Sequence, residues 1–254
     1  MNNNPLFYQA YHPDDRERIP VVLVHGAGGS RLHWPGELRR LEGCRVFTVD
    51  LPGHGRSGGT GRAEISAYGE ALLNWAQSLE LPPAVWIGHS MGGAISLWTA
   101  VHHPERVRAL VLIGTGGHLP VNPRLLEMLA DSAQVPAALQ KIIHWSFGRE
   151  TDPEILQQSR EKLKEVPQPV LLSDFRACSR YDLRSRLGEI RAPALILVGG
   201  ADEMTPPALS KELKARLSKA RLEVIPEAGH MVMLEKSAAL GRQVELFLKR
   251  LESR

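Results

Sequence analysis

Strand-length runs of apolar, often β-branched residues recur along this chain, and each is followed by a stretch with helical periodicity. Val21-Val22-Leu23-Val24 is apolar at every position. A strand with one wet face alternates, so an unbroken run points to burial on both faces, as in a parallel sheet covered by helices. Runs of this kind are read at Pro20–His25, Arg45–Asp50, Ala84–Gly88, Ala109–Gly114, Ala194–Gly199 and Leu222–Ile225. Helical patterns are read near residues 35–42, 64–79, 92–103, 206–218 and 236–252, and a short strand at Phe7–Tyr11 is expected on an antiparallel edge. Alternation of this type predicts an α/β fold with a doubly wound, mostly parallel sheet. With 254 residues, 43% of them hydrophobic, the chain can enclose one large core.

The rhythm breaks over residues 119–180. Strand patterns vanish there, and helical stretches at Pro123–Ala130, Pro136–Phe147, Pro153–Lys164 and Pro167–Ser179 each begin at proline, which is pre-set for the first helical position. An insertion following the Ala109–Gly114 run, expected as the sixth strand, falls at the carboxyl edge of the sheet, where α/β sites lie. The expected organisation is a core of residues 1–118 and 181–254 with a helical cap at 119–180.

Composition narrows the function classes. The formal net charge of +3 comes from basic residues scattered among acidic ones, with no basic run or basic-aromatic stripe, so nucleic-acid binding is not expected. Cys44 and Cys178 are far apart and lack ligand-like spacing to other cysteines or histidines, so neither a disulfide framework nor a metal site is expected. The polar stretch Met1–Asp15 has no apolar signal core, and no run is long enough to span a bilayer. A cytoplasmic protein acting on a small molecule, without a metal or organic cofactor, is the simplest expectation; its oligomeric state is open.

Chemistry concentrates at Gly88-His89-Ser90-Met91-Gly92, between the Ala84–Gly88 run and a helical pattern. A serine at a tight strand-to-helix turn projects its hydroxyl above the sheet, and flanking glycines let the strand and helix approach. Ser90 is therefore the candidate nucleophile. A neutral serine needs a base, and the base needs a carboxylate to orient it. Asp202 follows the Ala194–Gly199 run, and His230 lies in the loop after Leu222–Ile225, in the order serine, acid, histidine that this architecture uses. The remaining histidines lack that context: His25 and His54 sit in glycine turns, and the ring of His89 should diverge from the Ser90 hydroxyl. Glu203, beside Asp202, is assigned no role. The backbone N–H of Met91 is one expected oxyanion donor, and the loop His25-Gly26-Ala27-Gly28-Gly29 should supply another.

These residues resemble the α/β-hydrolase superfamily, in its serine-hydrolase, carboxylesterase-like branch with a helical cap. The resemblance rests on His25-Gly26-Ala27, Asp50-Leu51-Pro52-Gly53-His54-Gly55-Arg56-Ser57, Gly88-His89-Ser90-Met91-Gly92-Gly93, the Asp202 loop and Gly229-His230, in the family's order. It implies a Ser90-Asp202-His230 triad, Ala27 and Met91 as oxyanion donors, and a structural role for Asp50–Ser57. Cleavage of carboxylic esters through an acyl-enzyme is the implied reaction. Carbon–carbon bond hydrolases of the dienol-diketone type and lactonases share the same set, and a non-enzymatic ligand-binding module would keep the fold without turnover. A carbon–carbon hydrolase would need an arginine for its substrate carboxylate, for which Arg176 and Arg180 are candidates. It would often carry tryptophan after the catalytic histidine, where this chain has Met231.

Overall fold

In the computed structural model, residues 6–252 are described. Strands β1 (Tyr8–Tyr11) and β2 (Ile19–Val24) lead to the short helix α1 (Gly36–Arg39) and to β3 (Cys44–Val49). Then follow α2 (Ile65–Ser78), β4 (Ala84–His89), α3 (Met91–His102) and β5 (Val107–Ile113). Four consecutive helices come next: α4 (Pro123–Ala130), α5 (Val135–Ser146), α6 (Pro153–Lys164) and α7 (Gln168–Arg180). The chain returns through β6 (Ala194–Gly199), α8 (Pro207–Arg216) and β7 (Ala220–Ile225), and ends in α9 (Val232–Glu235) and α10 (Ser237–Glu252).

The strands form one sheet in the order β1-β3-β2-β4-β5-β6-β7, with β1 antiparallel and every other pair parallel. Alternate residues of the unbroken apolar runs supply two separate cores. Val22, Val24, Trp86, Leu110, Leu112 and Ile196 face α2, α3 and α8, whereas Val21, Leu23, Val85, Ile87, Val111 and Leu197 face α1 and α10. Burial on both faces is why these strands carry no polar alternation.

From β2 the chain winds outward to β3, then crosses back to place β4 on the other side of β2. This reversal opens a crevice beyond the carboxyl ends of β2 and β4, the usual ligand position in such sheets. Val24 pairs with Gly88, His89 with Ile113 and Ile113 with Leu197, so these strand ends finish at one level.

Two expectations are corrected. The helical insertion follows the fifth strand of the described sheet, not the sixth: only β1 precedes β2, because the turn-rich segment between Tyr11 and Ile19 leads directly into β2. The helix expected over 35–42 is reduced to the four residues of α1, since Arg40 already leaves helical geometry at φ −122° and Gly43, at φ +69°, turns the chain into β3. The four inserted helices match their expected spans closely. Asn122 and Asp152 each accept a bond from an N–H in the first turn, beside Pro123 and Pro153. No helix among the described residues is long and apolar enough to cross a membrane.

Candidate active site

Ser90 stands between the last residue of β4 and the first of α3, at φ 54° and ψ −118°. A side chain in this left-handed region is costly and persists only where the surroundings over-determine it. Here they do. Ser90 N–H donates to Ile113 O at 2.9 Å, while Ser90 O accepts from Thr115 Oγ1 at 2.9 Å, Gly93 N–H at 2.9 Å and Ala94 N–H at 3.1 Å. The motif glycines are needed for contact rather than flexibility: a Cβ on Gly92 would lie 2.0 Å from Val24 O, and one on Gly88 would lie 2.3 Å from Gly92 O. β2, β4 and α3 thus meet backbone to backbone, lifting Ser90 out of the sheet.

Asp202 and His230 come together from the loops after β6 and β7. His230 Nδ1–H donates to Asp202 Oδ2 at 2.9 Å, with both side chains essentially buried. Thr205 completes the carboxylate's shell, its N–H donating to Oδ1 and its Oγ1–H to Oδ2, each at 2.8 Å. With Nδ1 protonated, Nε2 of His230 keeps its lone pair for a proton acceptor's work. Glu203 is exposed and takes no part.

His89 links the two halves of the site. Its Nε2–H donates to His230 O at 3.0 Å and its ring lies 4.6 Å from the His230 ring. Burial holds the His89 imidazole well below its ordinary range, so it is a neutral spacer. The same corner receives the β2 loop, because a Cβ on Gly26 would lie 2.9 Å from His89 Nδ1 and 3.1 Å from Ser90 Cβ. Met91 N–H, at the first position of α3, belongs to the set of helix N-terminal donors that have no intrahelical acceptor. Ala27 follows Gly26 in the loop facing it. Asp50 is fully buried and accepts from Arg31 N–H at 2.7 Å, Arg31 Nη1 at 3.0 Å and Arg56 N–H at 2.9 Å, which makes it a brace for the neighbouring loops.

Sequence reasoning overlooked three polar residues. Thr205 is one. Asp174 of α7 accepts from Gly28 N–H and His54 Nε2–H, both at 2.8 Å, and from Tyr68 Oη–H. Glu235 of α9 accepts from Gly148 N–H at 2.9 Å, Gly229 N–H at 3.0 Å and Thr151 Oγ1–H at 2.7 Å. A signal for Asp174 existed: it is a charge in register with Val170, Leu171, Ala177 and Cys178, on the buried face of its helix. Arg176 and Arg180, in contrast, are exposed, and Arg180 pairs with Glu64 at 2.7 Å on the surface. Among the described residues no group of three or more His, Cys, Asp or Glu side chains is placed to hold a metal ion.

Comparison with known proteins agrees with this architecture. The chain is 32% identical over 251 residues to the dihydrolipoyllysine-residue acetyltransferase component of an acetoin cleaving system from Pseudomonas putida, covering 91% of this chain but only 64% of that longer protein. It is 30% identical over 240 residues to the pimeloyl-[acyl-carrier protein] methyl ester esterase of Neisseria meningitidis (serogroup A), covering 87% of this chain and 74% of the relative. Among solved structures, the enol-lactonase from Burkholderia xenovorans LB400 superposes with a TM-score of 0.89 at 23% identity, over 96% of each chain. The sequence pattern of the alpha/beta hydrolase family matches residues 21–242, and with the sheet order and the elbow at Ser90 this establishes that the chain is a hydrolase belonging to the alpha/beta hydrolase family.

Proposed function

We propose that this hydrolase cleaves carboxylic esters of small, apolar substrates through an acyl-enzyme on Ser90. The observation that carries this reading is the 2.9 Å bond from His230 Nδ1 to Asp202 Oδ2, set beside a serine held at φ 54°. In the proposed cycle His230 Nε2 takes the Ser90 proton as Oγ attacks the acyl carbon. Asp202 stabilises the imidazolium, and the N–H groups of Ala27 and Met91 receive the oxyanion. His230 then protonates the leaving alcohol, and water activated by the same ring releases the acid.

Residues 119–180 form the cap in this reading, over a core of residues 1–118 and 181–254. Supporting it, Leu171 Cδ1 and Leu163 Cδ1 would lie 2.8 Å and 3.1 Å from a Cβ on Gly28, and the apolar cluster of the inserted helices includes Ala27 and Met204 beside the site loops. Leu125, Met128, Leu129 and Ile142 are buried in that cluster, with Trp145 and Phe147 packed at its margin. The surface placement of Arg176 and Arg180 favours an ester over the carboxylate-bearing substrate of a carbon–carbon hydrolase. The similarity to an esterase of Neisseria meningitidis supports the same choice.

The test is hydrolysis of short-chain p-nitrophenyl esters by the wild type and by Ser90→Ala. Loss of roughly 10⁴-fold or more in kcat is expected. A folded variant with near-normal turnover would remove Ser90 as the nucleophile, whereas a wild type without turnover would return the ligand-binding alternative.

A further inference from the structure

Asp174 is fully buried, belongs to the inserted helices rather than the sheet, and is used by none of the steps above. Its three donors come from three separate segments: Gly28 in the loop after β2, His54 in the loop after β3, and Tyr68 in α2. His54 is itself unusual, because Nε2 faces the Asp174 carboxylate while Nδ1 faces Pro52 O at 3.0 Å. Both ring nitrogens therefore meet acceptors, and the ring satisfies both only as an imidazolium. Asp174 and His54 form a buried, charge-balanced pair whose carboxylate retains a lone pair for Gly28 N–H.

That last bond bears on Ala27. The Gly26 carbonyl accepts from Gly29 N–H at 3.0 Å and from His25 Nδ1–H at 2.8 Å. His25 Nε2 in turn accepts from Leu51 N–H at 3.0 Å, which fixes its neutral tautomer. Because a trans peptide is planar, anchoring Gly26 O dictates the opposite direction of the Ala27 N–H. The next peptide is anchored from its other end, by Gly28 N–H on Asp174. Gly28 sits at φ +63°, at the third position of the turn that Gly29 N–H closes on Gly26 O, and Asp174 adds an anchor on that peptide from outside the loop.

We propose that Asp174 is a positioning residue for the oxyanion donor at Ala27: the inserted helix α7 reaches into the loop after β2 and locks its peptide planes in the orientation that catalysis needs. The proposal rests on the serine-hydrolase reading of the site, but its geometric half can be read without turnover. The inserted helices then do more than cover substrate, since one of them completes the electrophile-binding half of the site.

The experiment compares wild type, Asp174→Ala, Asp174→Asn and Tyr68→Phe in three measurements. These are ester kinetics, affinity for an alkyl boronic acid that forms a tetrahedral adduct on Ser90, and exchange of the Gly28 amide proton by NMR. In Asp174→Ala, kcat is expected to fall about 10²-fold with KM within about threefold, the loss typical of one displaced oxyanion donor. Boronate affinity should fall in proportion and Gly28 exchange should accelerate. Asp174→Asn keeps the volume and one acceptor oxygen, so it should recover part of all three. A merely structural role would lower thermal stability without separating kcat from KM.

If neither Asp174 variant folds, Tyr68→Phe decides: faster Gly28 exchange with a lower kcat supports the clamp, and no change in either overturns it. A folded Asp174→Ala with wild-type kcat, or with unaltered Gly28 exchange, also overturns it. Ester turnover that survives in Ser90→Ala would instead overturn the reading of Ser90 as nucleophile, and the exchange measurement would still show whether Asp174 holds the loop.

Discussion

Thr205 shows how much of a site can hang on one hydroxyl. Its Oγ1 lies 2.8 Å from Asp202 Oδ2 and 3.1 Å from His230 Nδ1, so it sits at the hinge of the acid–base pair. Thr205→Val keeps the shape and removes the donor. Leaving a buried carboxylate oxygen short of a partner costs about 1–3 kcal/mol, which urea denaturation should register together with a lower kcat at nearly constant KM. Ser90, Asp202 and His230 were legible in the sequence because each occupies a glycine-rich or strand-end turn whose chemistry is local. Thr205 was in plain view three residues after Asp202 but carries no pattern of its own. Asp174 was hidden for a different reason: its partners Gly28, His54 and Tyr68 are more than a hundred residues away.

The inserted helices are joined to the sheet at both ends of the site. Asp174 ties α7 to the loop after β2, and Glu235 ties the turn between α5 and α6 to Gly229, immediately before His230. Backbone crowding reinforces the second joint, since a Cβ on Gly229 would lie 2.5 Å from Gly148 N, and Met231 N–H donates to Ser146 O at 3.0 Å. Glu235→Ala strands the Gly148 and Gly229 N–H groups. The expected result is a loss of about 1–3 kcal/mol in stability, with faster proteolytic cleavage near residues 147–152 in a limited-digestion time course. These helices were readable one by one, because proline and a capping Asn or Asp mark starts that need no tertiary help. α1 was not, because its pattern ran on to residue 42, past Arg40, where the backbone already leaves helical geometry ahead of the turn at Gly43. β5 and β7 begin two residues earlier than their apolar runs suggest. The exposed Arg108 and Arg221 conceal the first pairs of each strand.

Buried histidines couple the whole molecule to pH. Burial holds His25 and His89 neutral, well below the ordinary value of 6.5. As pH falls through that value the unfolded chain binds protons that the folded chain refuses, so stability must decline on the acid side. His54 behaves oppositely: burial works against its charge, but the Asp174 carboxylate and Pro52 carbonyl outweigh it and raise the pKa. Its contribution is complete below 6.5 and is lost as pH rises through the raised value. Urea unfolding across pH should therefore give a stability maximum with both limbs sloping. His89→Gln should flatten the acid limb, and His54→Gln the alkaline one; an alkaline limb unchanged in His54→Gln would contradict the imidazolium assignment.

At this scale the division of labour is plain. The sequence alone determined a parallel sheet with helices on both faces, a serine at a strand-to-helix turn, and an acid and a histidine in later strand-end loops. Each of these follows from periodicity or from turn chemistry within a few residues. Only the tertiary structure decided that β2 and β4 end side by side, that the His89 ring packs against the His230 ring, and that one carboxylate on α7 holds the loop of Ala27. Those facts depend on groups far apart in the chain meeting in a water-poor interior. There an unpaired donor is costly and a partner must be found wherever the fold brings one.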